Sequence, residues 1–128
     1  MEAPALLDAH VQLKKIYTAL NESLDLTRQL ADAVDRNDEV SIRMLVAMRQ
    51  EPVDRLAQAQ RALEQQQRAL SAEDGARLAG LLKGAAAEAE EERALAEQVS
   101  LNGRILKQVV ELDRIVNRKL TREKSIYQ

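Results

Sequence analysis

Between Leu6 and Val34, the positions of a mostly apolar seam recur alternately four and three residues apart, and this spacing constrains the fold more than any other feature. A spacing that averages about 3.5 residues keeps one side of an α-helix facing the same neighbour. The pattern persists for about eight turns, so it predicts a first helix over about 4–35, with Pro4 near its start. The positions of this seam are Leu6, His10, Leu13, Tyr17, Leu20, Leu24, Thr27, Ala31 and Val34.

A polar stretch at 35–38 interrupts the first helix. Asp and Asn accept hydrogen bonds from the free amides of a new helix, and a short turn makes that helix antiparallel to the first. The apolar spacing predicts a second helix over about 38–70. Pro52 lacks an amide donor, so either the helix kinks there or a new helix begins with Pro52 in its first turn. In both cases the chain continues in roughly the same direction, because the apolar phase survives across the proline.

The third segment begins with a capping signal. Ser71 and Asp74 have the Ser-x-x-acid spacing that satisfies free amides at a helix start. We expect a third helix over about 72–120, followed by a mobile polar tail at 121–128 in which the role of the pair Ile126-Tyr127 is open. Three glycines between 75 and 84 weaken the beginning of this helix, which either frays or forms a separate short helix.

The composition suits long helices. The chain is 45% hydrophobic, with no Phe, no Trp and only two Tyr, and small aliphatic side chains pack well in seams between helices. A length of 128 residues fits one domain. We therefore predict an all-α fold in which residues 1–128 form a single domain, an elongated antiparallel three-helix bundle or coiled coil with a long C-terminal helix.

The apolar face of the last helix is wider than one partner helix can cover. Two neighbours are implied, either both from this chain or one from another protein. Asn102 falls within this face, where a buried amide either fixes the register of the internal bundle or bonds to a partner. Asp113 lies within or beside the same face. The two adjoining stripes are Leu101, Ile105, Val109, Leu112 and Val116, and Leu95, Val99, Leu106 and Leu120.

Little in the chain suggests catalysis. It has no cysteine and one histidine, His10, which lacks an acidic partner at metal-ligand spacing. The glutamates at 88–92 are distributed around a helix as on a solvated face. We expect no catalytic residue, no metal and no cofactor, and hence a protein that is not an enzyme.

Charge and hydropathy limit the classes of partner that the chain is expected to bind. The formal net charge of -2 gives no general attraction to nucleic acid, and the cations of the last helix lack interleaved aromatic residues. The N-terminal segment has neither the basic start nor the apolar run of a secretory signal, and no segment reaches the roughly 20 apolar residues that span a bilayer. We expect a cytoplasmic protein without membrane insertion.

Three segments resemble flagellar export chaperones of the FlgN type. A short polar turn followed by a helix, as in that family, is found in Asp35-Arg-Asn-Asp-Glu-Val-Ser-Ile-Arg-Met-Leu45. The charged segment Met48-Arg-Gln-Glu51 follows it. The asparagine-plus-leucine pattern of the last helix is similar in Leu101-Asn-Gly-Arg-Ile-Leu106.

The resemblance implies a chaperone that binds hook-filament junction proteins, shields their terminal helices and delivers them to the flagellar type III export apparatus. The partner-binding residues that it implies are Leu101, Asn102, Ile105, Leu106, Val109, Leu112 and Val116. An aspartate in place of Ile105 or Val109 is expected to abolish binding. The alternative is a self-assembling coiled-coil structural or adaptor protein, whose spare apolar face closes a homo-oligomer.

Overall fold

Five α-helices form the computed structural model, which describes the backbone of residues 1–127 and the side chains of residues 1–122. The all-α fold with a long C-terminal helix is confirmed. The predicted count of three helices is wrong, because the second and third predicted segments are each divided in two. The helices are α1 (Ala3–Asp35), α2 (Glu39–Met48), α3 (Gln50–Ala69), α4 (Ala72–Leu82) and α5 (Glu90–Tyr127).

The central element is α1, which packs along its length against both the α2 and α3 pair and α5. With 33 residues it is about 50 Å long. Three apolar clusters follow one another along it, and their membership shows that α5 runs parallel to α1 whereas α2 and α3 run antiparallel. From the N-terminal end of α1 onwards, the clusters include Leu6, Leu63 and Leu95, then Leu20, Leu56 and Ile105, then Val34, Leu45 and Val116.

The predicted polar turn between the first two helices is confirmed. Asn37 adopts a positive φ of 56°, which Asn tolerates better than most residues. This conformation lets the Asp38 amide donate to the Ala33 carbonyl at 3.0 Å, an arrangement that closes the end of α1. The Asp38 carboxylate then accepts from the Ser41 amide at 3.1 Å and so caps α2. Hydrogen bonds from Ser41 lower the pKa of Asp38.

Pro52 lies in the first turn of a new helix. α2 ends at Met48 and α3 begins at Gln50, so the missing amide of Pro52 falls where a helix needs no internal donor. Arg49 between them keeps helical dihedral angles, with φ of -67° and ψ of -18°. The chain therefore continues in the same direction, as the apolar phase predicted.

A glycine divides the third predicted segment. Gly84 adopts a φ of 104°, a conformation that L side chains rarely adopt. The Ala85 amide then donates to the Gly80 carbonyl at 2.9 Å and ends α4. At the start of α4, the Ser71 hydroxyl accepts from the Asp74 amide at 3.1 Å, as its capping signal predicted. The alternative of a separate short helix is the one that the structure contains.

α5 extends beyond the predicted end at Leu120 and reaches Tyr127. Its final turns are polar, so they add length to the helix without adding core. The side chains of Ile126 and Tyr127 lie outside the described residues, and the expected mobility and role of this tail stay predictions.

Candidate functional site

Three of the seven residues implied by the resemblance are buried inside the bundle. Val116 is completely enclosed in the cluster formed with α1 and α2. Ile105 packs against Leu20 and Leu24 of α1, and Asn102 is also buried. A partner reaches these three side chains only if the helices separate. Their role in partner binding stays a prediction.

Asn102 connects α5 to the backbone of α1. Its amide nitrogen donates to the Leu13 carbonyl at 3.0 Å, and its oxygen accepts from the Gln98 amide at 2.9 Å. One bond sets the position of α5 along α1 and the other orients the amide. Of the two roles open from the sequence, the internal one is present in the structure: Asn102 fixes the register of two helices.

The other four predicted residues differ in exposure. Leu101, Val109 and Leu112 are half-buried and pack against the middle cluster. Leu106 is 49% exposed. Of the predicted set, Leu106 therefore offers the most side-chain surface to a second protein.

The wide apolar face of α5 is covered largely by this chain. Leu95, near the start of α5, shares a cluster with Leu6 and Leu13 of α1 and with Leu78 and Leu81 of α4. Further along, Leu56 of α3 packs against the cluster that contains Ile105. Within this chain the face therefore meets α1 along its length, α4 near its start and Leu56 of α3 in its middle. Without separation of the helices, an additional partner reaches the exposed part of this face, such as Leu106, rather than its buried part.

An ion pair joins the junction of α2 and α3 to α5. The Arg49 guanidinium lies 2.6 Å from an oxygen of the Asp113 carboxylate and 3.4 Å from the hydroxyl of Thr27, which is completely buried in α1. The side chain of Arg49 is 24% exposed and that of Asp113 is 38% exposed. This polar contact therefore joins the junction of α2 and α3 to both α1 and α5, and it remains accessible from outside.

Apolar side chains flank this ion pair on both of its helical supports. Val46 lies three residues before Arg49 and Val53 lies four after it, so both share its side of the helix surface. The Val53 amide donates to the Arg49 carbonyl at 3.4 Å, which shows that the helical spacing continues across the junction. Val46 and Val53 therefore lie beside the ion pair.

The same spacing places apolar residues beside Asp113 on α5. Val110 precedes Asp113 by three residues and Leu106 precedes it by seven, which is two helical turns. Each of the four apolar side chains around the ion pair is between 46% and 49% exposed. We call this surface the bridging patch and define it by Val46, Val53, Leu106 and Val110.

Sequence reasoning included Leu106 but missed the three valines of the bridging patch. The sequence did indicate that α2 has more apolar surface than one neighbour covers, because apolar residues occupy nearly every side of this helix, from Val40 to Met48. A helix that is apolar all round needs more neighbours than α1 alone provides. In the structure, only Leu45 of α2 is buried, and Val40, Met44, Val46 and Met48 are exposed.

A second ion pair that joins two helices lies at the other end of the bundle. The Arg77 guanidinium of α4 makes two hydrogen bonds to the Glu92 carboxylate, at 2.6 and 2.9 Å. Glu92 also accepts from the amides of Glu88 and Ala89 at 2.9 and 3.3 Å. The Arg77 bonds, followed by the Glu88 amide, lower the pKa of Glu92 to about 2. These hydrogen bonds hold the start of α5 against α4. We call this structural ion pair the clamp.

Neither a metal site nor a membrane span is found among the described residues. They contain no group of three or more His, Asp or Glu side chains placed to hold an ion. None of their helices is both long enough and apolar enough to cross a bilayer.

Comparison with known proteins identifies no relative. No protein-family model matches the chain, and neither does any curated protein or solved structure. The fold and the site define an all-helical bundle that carries an exposed apolar patch around an accessible ion pair.

Proposed function

We propose that this protein binds an amphipathic helix of a client protein at the bridging patch and acts as a chaperone for that client. The proposal rests on the Arg49–Asp113 ion pair, which joins two antiparallel helical supports. It also rests on the four half-exposed apolar side chains that helical spacing places on the same side of these supports. A third helix laid between two others buries its own apolar stripe on both sides. The Arg49 and Asp113 pair supplies polar groups to orient it.

The spacing of the patch indicates the chemistry of the client. Val46 and Val53 are seven residues apart, and Leu106 and Val110 are four apart. A client helix with apolar residues at i, i+4 and i+7 matches both intervals. Burying the exposed halves of these four side chains contributes about 3–6 kcal/mol before ordering costs. A gain of this size supports transient binding, which suits a chaperone that must release its client.

The resemblance to export chaperones of the FlgN type supplies a specific client. In this proposal, the client is a hook-filament junction protein with an amphipathic terminal helix, the complex forms in the cytoplasm, and the client is passed to the flagellar type III export apparatus. Leu106 is the member of the resemblance-derived set that belongs to the bridging patch. Ile105, Asn102 and Val116 then act indirectly, because they hold α5 in position against α1.

A second candidate function is self-assembly as a structural or adaptor protein. The observation that favours it is the outer side of α2, where Val40 is 78% exposed and Met44 is 54% exposed. Together with Met48, these residues form a stripe at four-residue intervals that a second copy can cover. Such a stripe is occupied in the purified protein without any client.

Substitutions at exposed positions test the client-binding proposal without disturbing the core. In co-expression with a hook-filament junction protein, we expect the wild type to co-purify with it and Val110→Asp to lose it, because a carboxylate at this position is desolvated by the client. Ile115→Asp is the matched control, since Ile115 is exposed on a different side of α5. Ile105→Asp is unsuitable, because Ile105 is buried and its replacement unfolds the bundle.

Circular dichroism tests whether the variants are folded, and light scattering measures their mass. Retention of the junction protein by Val110→Asp would rule out the bridging patch. Recovery of no client, together with an oligomer that Met44→Asp dissociates, would replace chaperone function with self-assembly.

A further inference from the structure

A groove runs along the outside of the bundle between α1 and α3. Its volume is about 730 Å³. Its apolar lining comes from Val11 of α1 and from Ala59 and Ala62 of α3. Small side chains on α3 leave room for another backbone to approach closely. The groove shares no residue with the bridging patch.

The groove carries positive charge. Lys14, Lys15 and Arg55 line it, and no carboxylate lies among its described lining residues. The ammonium group of Lys14 lies 5.8 Å from the centre of the Tyr17 ring, a cation–π contact that leaves its charge uncompensated. Lys15 is exposed, and neither lysine forms an ion pair within the described residues.

Arg55 differs from the two lysines. Its guanidinium is held by the carboxylates of Glu22 and Glu51, and hydrogen bonds from this arginine to Glu51 and then Glu22 raise its pKa. The Arg55 side chain is therefore held in place between α1 and α3, and its charge is already paired. Lys14 and Lys15 remain available for a partner's charges.

We propose that the groove between α1 and α3 binds an acidic amphipathic helix of a partner protein. Its small and apolar residues lie against Val11, Ala59 and Ala62, and its carboxylates pair with Lys14 and Lys15. The apolar lining favours a peptide over a nucleic acid, because the described lining residues include no Phe, Tyr or Trp on which a base can stack. The charge complementarity selects acidic helices over basic ones.

The test uses two labelled synthetic helices of about four turns. Both carry the same Ala and Leu stripe, and one is flanked by Glu whereas the other is flanked by Lys. Fluorescence anisotropy with the full-length chain measures binding at low and high salt. We expect the Glu-flanked helix to bind, the Lys-flanked helix to bind at least about tenfold more weakly, and added salt to reduce the difference.

Two double variants locate the binding. Lys14→Glu/Lys15→Glu is expected to weaken binding of the Glu-flanked helix by at least about tenfold. Lys83→Glu/Lys107→Glu changes the net charge equally at exposed positions outside the groove and is expected to leave binding unchanged. Val11→Ser, at a position that is 44% exposed, tests the apolar part of the groove and is expected to weaken binding by a few-fold.

Four outcomes would overturn the proposal: no binding of the Glu-flanked helix, equal binding of both helices, equal losses in the two double variants, or preferential binding of an oligo-dT strand through the same lysines. The last result would assign the groove to nucleic acid. Because Val110→Asp leaves this groove intact, the groove and the bridging patch can fail independently.

Discussion

The two ends of the bundle use their apolar residues differently. At the end that contains α4, helices α1, α3, α4 and α5 meet around Leu78 and Leu81, which are completely buried. At the opposite end, α2 lies against α1 with Leu45 as its one buried residue. The difference shows that the number of helices at each level, rather than the apolar content of a helix, decides how much apolar surface stays uncovered.

The ion pairs show the same contrast. The Glu92 side chain is 9% exposed and accepts hydrogen bonds from Arg77 and two backbone amides, so its charge is paired within the protein. Arg49 and Asp113 are more exposed and sit among half-exposed apolar side chains. The Arg77–Glu92 pair joins α4 to the start of α5, whereas the Arg49–Asp113 pair lies at the exposed surface where we propose that a client binds.

The largest effect is expected at the α4 end. Leu78→Ala removes a completely buried side chain and is expected to lower the free energy of unfolding by about 2–5 kcal/mol. Met44→Ala at the α2 end is the matched control, with an expected change below about 0.5 kcal/mol. Equilibrium urea unfolding measures both. Similar losses in the two variants would show that the two ends are packed alike.

An intermediate effect is expected for the clamp at the start of α5. Glu92→Gln removes a charge that accepts several hydrogen bonds, and we expect it to lower the free energy of unfolding at neutral pH by about 1.5–3 kcal/mol. Glu97→Gln, at an exposed position of the same helix, serves as the control. Urea unfolding at a series of pH values compares the two variants with the wild type.

The pH dependence of this effect has a definite sign. The pKa of Glu92 falls from an ordinary value of 4.5 to about 2 in the folded protein, so the folded state binds the proton less tightly than the unfolded state does. The stabilisation is complete above pH 4.5 and is lost as the pH falls towards 2. The advantage of the wild type over Glu92→Gln should shrink within this window. An advantage that stays constant across it would contradict the assignment.

The smallest effect is expected on the outer side of α2. Val40→Ser changes a side chain that is 78% exposed, so the free energy of unfolding should change by less than about 0.5 kcal/mol. Thermal unfolding at several protein concentrations measures this. A large loss of stability, or a Tm of the wild type that rises with concentration, would show that a second copy covers α2.

Local signals predicted most of the helix boundaries. The residues that cap α2 and α4, Asp38 and Ser71, act through hydrogen bonds to amides three residues away, so their effect is readable from spacing alone. The division at Gly84 was harder to predict. A glycine is compatible with either a weak helix or a helix end, and the buried contacts of α4 with α1, α3 and α5 decided between them.

The candidate site was predictable only in part. The sequence indicated the apolar side of α5, which includes Leu106, and the position of Asn102 within it. It did not indicate which of these residues α1 would cover. The exposed valines at 46, 53 and 110 were missed because their common surface depends on the contact between Arg49 and Asp113, which are 64 positions apart.

The sequence by itself determined an all-helical chain, the polar turn before α2, and the direction of the chain past Pro52. These properties follow from periodicity, capping and backbone chemistry, which act over a few residues. Only the tertiary structure decided that α1 is central, that α4 packs against the N-terminal part of α1, and that Asn102 bonds to Leu13 while Leu106 stays exposed. Burial depends on which helices meet, and that is settled by contacts between residues far apart in the chain.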